Sequence, residues 1–186
     1  VGGVANSINI IDGFHGLASG TVLLALGALG LLAWGQGDVA LAQVCWLAAA
    51  ALAGFWFVNY PWGKIFLGDG GAYFAGFLLA WLAVLLPMRN PGVSPWASLV
   101  VCAYPFIEVI YSIVRRMLAR QSPGAPDRHH LHSLIARLLA HHRLPLHWQN
   151  AAVAPLIWGF VAALAGVSIA LHDNTVWLAA SIAGAS

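Results

Sequence analysis

The chain alternates between long apolar runs and short polar segments. Six apolar runs can be recognised, at residues 17–34, 39–58, 72–86, 96–114, 151–171 and from 176 onward. A helix rising about 1.5 Å per residue needs a run of about this length to cross a hydrocarbon core of about 30 Å. Because lipid offers open strand backbone no hydrogen-bond partner, these runs must be helices. The pattern predicts an all-α, polytopic transmembrane bundle of five to six spans in one membrane domain, 1–186.

The composition agrees with a membrane setting. Hydrophobic residues make up 61% of the chain and charged residues 8%, whereas soluble domains have about 45–50% and about 25%. Nine Trp and twenty Gly are also typical of membrane helices and their interfaces. The two cysteines are too few for a disulfide framework. We therefore expect the lipid bilayer as a partner, and no nucleic acid.

The polar segments fall on two faces if each run crosses once. The first face holds residues 1–16, 59–71 and 115–149, and the second holds the turns at 35–38, 88–95 and 172–175. Seven of the eight Lys and Arg residues belong to the first face, and only Arg89 belongs to the second. Because cytoplasmic loops carry an excess of positive charge, we expect the first face to be cytoplasmic.

The first polar segment contains NSINIIDG, in which Asn6, Asn9 and Asp12 are three residues apart. On a helix this spacing places each side chain about one turn from the last. Amides there can bind a nucleotide base or sugar, and Asp12 can accept a donor or bind a metal. The alternative is a polar helix entrance, but one Asn or Asp would be enough for it.

The second polar segment contains Asp69, a carboxylate between glycines and next to apolar runs. Near a membrane face such a carboxylate can hold a hard cation or a phosphate-bound metal. It can equally be a helix N-cap whose oxygens accept backbone N–H groups. Its place on the same face as the other polar segments favours the metal.

The third polar segment is basic and contains DRHHLH, residues 127–132. Arg128 has a planar donor fork suited to phosphate, and His130 and His132 can donate hydrogen bonds to phosphate oxygens. A solvated basic face is the alternative. Carboxylate, cations and amides together are the composition expected for magnesium-assisted chemistry on a nucleotide diphosphate.

These three segments resemble the polyprenyl-phosphate N-acetylhexosamine-1-phosphate transferases, or glycosyl transferase family 4. Residues 6–13 resemble the Asn-x-x-Asn-x-x-Asp-Gly motif of that family, and residues 66–71 resemble Phe-x-Gly-Asp-x-Gly. Residues 122–132 resemble the His-x-His loop of the branch that acts on GlcNAc. The motifs are in family order. His15 departs from the pattern, because some members carry an acidic residue there.

The resemblance implies transfer of a sugar-1-phosphate from a UDP-sugar to undecaprenyl phosphate, with release of UMP. It implies Mg²⁺ as the cofactor, with Mn²⁺ as an alternative, and Asp69 as its ligand. It places Phe66 against the uracil ring, and Asn6, Asn9 and Asp12 on the nucleotide side. Asp69, His130 and His132 would be catalytic, with Arg128 binding phosphate or sugar.

The resemblance also implies a setting. We expect a multi-pass protein of the bacterial inner membrane, with its active-site loops cytoplasmic. The HexNAc-1-phosphate would enter a cell-envelope polysaccharide such as O-antigen, and a homodimer is one possible assembly. A membrane transporter or channel is the rival class. That class predicts polar residues in the middle of spans, and the runs contain almost none.

The family also uses an adjacent pair of aspartates in an earlier cytoplasmic loop, and this chain has no adjacent acidic pair. We therefore expect residues 1–186 to be the C-terminal part of a longer transferase and to be inactive alone. Incubation of the purified segment with UDP-GlcNAc, undecaprenyl phosphate and Mg²⁺ should release no UMP. Release above a metal-free blank would contradict this expectation.

Overall fold

In the computed structural model, residues 1–119, 130–141 and 146–185 are described, and within these ranges the chain forms nine α-helices and no strand. The prediction of an all-α polytopic bundle is confirmed. The helices are α1 Gly2–Ile11, α2 Leu17–Gly35, α3 Val39–Asn59, α4 Gly68–Arg89, α5 Pro95–Val101, α6 Ala103–Leu118, α7 Leu131–His141, α8 Leu146–Ala170 and α9 Thr175–Ala185.

Four of these helices are long and apolar enough to cross a membrane: α2, α3, α4 and α8. The bent pair formed by α5 and α6 would make a fifth span. Helix α9 is apolar but has only 11 residues, so the sixth predicted span is not reached within the described residues. The lower predicted count, five, agrees with the structure when the bent pair is counted.

The fourth predicted span, 96–114, is not a single straight helix. It breaks at Cys102, and α5 and α6 meet there at 74°. Pro105 lies three residues beyond the break and has no N–H to donate to the carbonyl of Val101. Hydropathy does not register this missing hydrogen bond, so the apolar run predicted one continuous helix.

Helix α4 is longer than the apolar run that predicted it. It begins at Gly68 rather than Ala72, and it continues through Pro87 to Arg89. Asp69 therefore lies in the first turn of α4 rather than in a loop before it.

Helix α2 is the centre of the packing. It contacts α1, α3, α4, α5 and α8, and 72% of its span is buried, against 17% for α3. Close approach to α2 depends on glycines. A Cβ at Gly20 would clash with the indole of Trp158, and a Cβ at Gly30 would clash with the indole of Trp46.

The connections gather at two ends of the bundle. At one end, which we call the loop end, the segments 1–16, 59–71 and 130–132 are in contact. At the other, the turn end, the segments 35–38, 88–95 and 172–175 are in contact. There the backbone N–H of Ser94 donates to the carbonyl of His172 at 2.7 Å, and the Ser94 and Thr175 hydroxyls are 2.9 Å apart.

The single basic residue of the turn end is neutralised. Arg89 donates to both carboxylate oxygens of Asp38, at 2.7 and 2.9 Å. This hydrogen-bonded guanidinium lowers the pKa of Asp38 to about 2. With Asp38 and Asp173 against Arg89, the turn end has a formal net charge of −1.

A close contact between α1 and α4 generates a prediction. A Cβ at Gly76 would lie 2.7 Å from the Cα of Ala5, which is backbone and cannot rotate away. Gly76→Ala should push α1 off α4 and lower the free energy of unfolding by about 2 kcal/mol, as overpacking usually does.

Gly54→Ala in α3 is the matched control, because a Cβ there meets no atom within 4 Å. This change should leave stability equal or slightly higher, since alanine is the better helix former by up to about 1 kcal/mol. Thermal unfolding of both variants in detergent makes the comparison. Equal melting temperatures would contradict the proposed backbone contact.

Candidate functional site

A buried amide holds the loop end together. Asn59, the last residue of α3, is 1% exposed. Its Oδ1 accepts from the backbone N–H of Gly16 at 2.7 Å and from the Ser19 hydroxyl at 3.1 Å, and its Nδ2 donates to the carbonyl of Ile65 at 2.6 Å. These bonds fix the loop after α3 to the start of α2. Sequence reasoning missed Asn59; its signal was an amide at the very end of an apolar run.

His15 adds a second link between the same two segments. Its Nδ1 lies 2.8 Å from the carbonyl oxygen of Pro61, and a Cβ at Gly63 would clash with the imidazole ring. Gly63 has a φ of +60°, so a glycine is required there for two reasons. The family departure at His15 thus has a structural role, namely anchoring the loop between α3 and α4.

Asp12 closes the contact between the first two motifs. It lies at the C-terminal end of α1, and its Oδ2 accepts from the backbone N–H of Gly68 at 3.1 Å. Partial burial raises the pKa of Asp12 to about 6, and hydrogen bonds from the amides of Gly68 and Leu67 offset part of that rise. A carboxylate from α1 therefore satisfies the first amides of α4.

This contact bears on whether Asp69 caps α4. The N-cap residue of α4 is Leu67, and Asp69 lies in the first helical turn. The capping alternative for Asp69 is wrong, because Asp12 supplies the acceptor from another segment. Within the described residues Asp69 is exposed and makes no hydrogen bond or ion pair. Its charge lies at the helix N-terminus, where the dipole favours an anion.

The surroundings of Asp69 are open. A Cβ added at Gly13, Gly68 or Gly70 would meet no atom within 4 Å. Gly68 has a φ of +63°, which explains the glycine at that position, but packing within the chain does not explain Gly13 or Gly70. The backbone next to Asp12 and Asp69 is therefore open rather than packed against other side chains.

The predicted nucleotide-side residues lie on α1 and just before α4. Asn6 and Asp12 on α1 both contact the first part of α4, since the Asn6 amide oxygen accepts from the Tyr73 hydroxyl at 3.4 Å. Asn9 is half-buried on the same helix. Phe66 is 43% exposed, and its ring centroid is 5.9 Å from that of His15. Asn6 and Asn9 thus lie on a helix, as their spacing predicted.

The histidines of the third motif are buried rather than open. His130 is 8% exposed and His132 is 3% exposed. Glu108 of α6 binds His132 at 3.1 Å, and the Ser112 hydroxyl is 3.0 Å from Nδ1 of His130. The ring of His132 meets the ring of Phe14 edge-on at 5.1 Å, which joins this motif to the α1–α2 connection.

The structure describes only part of the third motif. Residues 120–129 lie outside the described ranges, so the predicted phosphate contact of Arg128 lies outside them as well. In the described part of the chain, no three His, Cys, Asp or Glu side chains are grouped to share a metal ion. A metal at Asp69 would therefore take its remaining ligands from other groups or from water.

The three hydrogen bonds of the Asn59 side chain, which we call the Asn59 clamp, generate a prediction. Asn59→Ala would leave two buried donors and one carbonyl without their partner, and should lower the free energy of unfolding by about 3 kcal/mol. Asn174→Ala is the control, because the exposed Asn174 side chain accepts only from the backbone N–H of Trp177, at 3.3 Å. Chemical unfolding in detergent compares them. Equal stability of the two variants would contradict the clamp.

Comparison with known proteins connects this geometry to a family. Residues 1–87 match the sequence model of glycosyl transferase family 4. The chain is 30% identical over 177 residues to a protein of Bacillus subtilis named "Probable undecaprenyl-phosphate N-acetylglucosaminyl 1-phosphate transferase". It is 31% identical over 137 residues to the "Undecaprenyl-phosphate alpha-N-acetylglucosaminyl 1-phosphate transferase" of Escherichia coli K12.

These alignments cover 95% and 71% of the chain but 47% and 37% of the two relatives. The chain therefore spans less than half the length of the curated relatives that it matches. The matched region includes the Asn-x-x-Asn-x-x-Asp-Gly and Phe-x-Gly-Asp-x-Gly motifs, which meet at the start of α4. By motif and by alignment, the chain belongs to glycosyl transferase family 4.

Proposed function

We propose that this chain contributes to an enzyme that transfers a sugar-1-phosphate from a UDP-sugar to undecaprenyl phosphate and releases UMP. The observation that carries the proposal is the pair of carboxylates at the start of α4, Asp12 and Asp69, beside open space, an exposed aromatic ring and two amides. The names of the two relatives add undecaprenyl phosphate and a GlcNAc-1-phosphate group.

The reaction exchanges one phosphoanhydride bond for another. An oxygen of undecaprenyl phosphate attacks the β-phosphorus of the UDP-sugar, and the bond from that phosphorus to the bridging oxygen breaks. UMP leaves with the electron pair, and the sugar-bearing phosphate stays on the lipid as a diphosphate. Both reactants are anionic, so catalysis depends mainly on positioning and on neutralising charge.

The residues present fit a bound Mg²⁺. Mg²⁺ prefers hard oxygen ligands and is commonly held by one or two carboxylates together with substrate phosphates and water. Asp69 is an exposed carboxylate with open space beside it, and Asp12 is a carboxylate whose burial disfavours its charge. A nearby cation would offset that penalty. Asp69 would hold the ion, which supplies charge neutralisation of the phosphates; Mn²⁺ has similar ligand preferences.

The other site residues would hold the substrates. The half-exposed ring of Phe66 offers a face for the uracil ring, and Asn6 and Asn9 offer amides for the base or sugar. Arg128, His130 and His132 would bind or orient phosphate groups. The donor sugar would be a HexNAc, consistent with the names of the relatives.

The setting we propose is the inner membrane of a bacterium, with the loop end in the cytoplasm. The excess of Lys and Arg at that end supports this orientation. The product, a lipid-linked sugar diphosphate, would serve the synthesis of a cell-envelope polysaccharide such as O-antigen.

The metal role of Asp69 is tested in the full-length protein. Asp69→Asn should abolish the Mg²⁺-dependent exchange of labelled UMP into UDP-GlcNAc. The loss should exceed about 100-fold, since even residues behind a metal's direct ligands contribute 10- to 100-fold. The substitution keeps the size of the side chain, so the fold should be retained.

Asp173→Asn is the matched control. Asp173 is also an exposed carboxylate, but it lies at the turn end, away from the site. Its variant should exchange UMP at the wild-type rate. Normal exchange by Asp69→Asn would refute the metal assignment, and absence of exchange in the wild type with a panel of UDP-sugars would refute the proposed reaction.

A further inference from the structure

A buried carboxylate in α6 organises the third motif. Glu108 is 2% exposed, and burial of a carboxylate is costly unless hydrogen bonds compensate for it. Its Oε1 accepts from the Tyr104 hydroxyl at 3.0 Å and is 3.1 Å from Nδ1 of His132. Its two oxygens also accept from the backbone N–H groups of Leu131 and His132, at 3.0 and 3.3 Å. Glu108 thus satisfies the first amides of α7 from another helix.

Three polar side chains lie on one face of α6, and two of them, Glu108 and Ser112, contact the histidines. Tyr104, Glu108 and Ser112 are four residues apart, so they lie one above another on the helix. All three are at most 3% exposed. Glu108 and Ser112 bind the Nδ1 atoms of His132 and His130, respectively.

The contact also determines how the histidines present themselves. The two rings are nearly parallel, at 11°, with centroids 5.1 Å apart. A carboxylate at Nδ1 keeps the proton on that nitrogen, which leaves Nε2 of a neutral ring as the acceptor. With both Nδ1 atoms directed at α6, Nε2 is the nitrogen of each ring that remains for a substrate.

We propose that Glu108 is a positioning residue for the phosphoryl transfer. It fixes the tautomer and the orientation of His132, and together with Ser112 it holds the stacked pair of rings in place. The pair lies next to Phe14, in the segment that connects α1 and α2. The inference rests on the proposed function, because it assigns the histidine pair to that reaction. Glu108 itself touches no substrate; it acts through the rings.

Glu108→Gln in the full-length protein is the direct test. The amide has one oxygen and one NH₂ group, so at least one of the present donors must face another donor. A neutral amide oxygen also holds Nδ1–H of His132 more weakly than a carboxylate does. The kcat for transfer from UDP-GlcNAc should fall by about 10- to 100-fold, as it does when residues that orient a functional histidine are lost. The KM for UDP-GlcNAc should change by less than about 3-fold, because uniform binding is untouched.

Tyr104→Phe is the matched control. It removes one hydrogen bond to the same carboxylate but leaves the contacts of Glu108 with His132 and α7. A merely structural role predicts that kcat falls with stability in both variants. A positioning role predicts wild-type kcat in Tyr104→Phe and a low kcat in Glu108→Gln at equal melting temperature. Equal kcat in the two folded variants would overturn the proposal.

A second readout does not depend on activity. In the ¹⁵N spectrum of histidine-labelled protein, the Nδ1–H tautomer of His132 should dominate in the wild type and in Tyr104→Phe, and its share should fall in Glu108→Gln. An unchanged tautomer in Glu108→Gln would overturn the proposal. If the wild type exchanges no UMP, the proposed function fails, and this spectrum alone decides whether Glu108 sets the tautomer. If Glu108→Gln does not fold, Glu108→Asp replaces it. Its carboxylate lies one methylene further from Nδ1 of His132, so kcat and the share of the Nδ1–H tautomer should fall in the same way.

Discussion

The loop end of this protein depends on a buried amide, that of Asn59. Its side-chain oxygen accepts two hydrogen bonds and its NH₂ group donates one to a carbonyl. These bonds lie where α2, α3 and the loop that leads to α4 meet. In an apolar bundle such bonds are worth most, because unpaired partners would be left without water. The position of Asp69 relative to Asp12 follows from this loop being held in one place.

Four carboxylates of the chain have four different tasks, and the surroundings of each determine which task it has. Asp38 is paired with Arg89 and caps α3 at the turn end. Asp12 is partly buried and satisfies the amides of α4. Glu108 is fully buried and saturated with donors. Asp69 is left exposed at a helix N-terminus, which is the condition under which a carboxylate is available to a ligand.

The three polar segments meet through small, specific contacts rather than through a large polar core. Asp12 touches the start of α4, and the Phe14 ring touches His132 of α7. Since α2 separates these segments along the chain and is itself the packing centre, the glycines of α2 affect the site indirectly. A site assembled in this way depends on accurate helix packing some distance away.

Hydropathy alone determined the helical class, most span boundaries and the grouping of polar loops, because lipid leaves the backbone no alternative to helices. Residue spacing also identified the polar positions Asn6, Asn9 and Asp12 and the three motifs. Only the tertiary structure decided that Asp12 rather than Asp69 satisfies α4, that a bend at Cys102 divides one predicted span, and that Glu108 orients the histidines. Each of these three features depends on a partner distant in sequence or on a missing backbone donor. Local hydrophobicity carries no information on either cause.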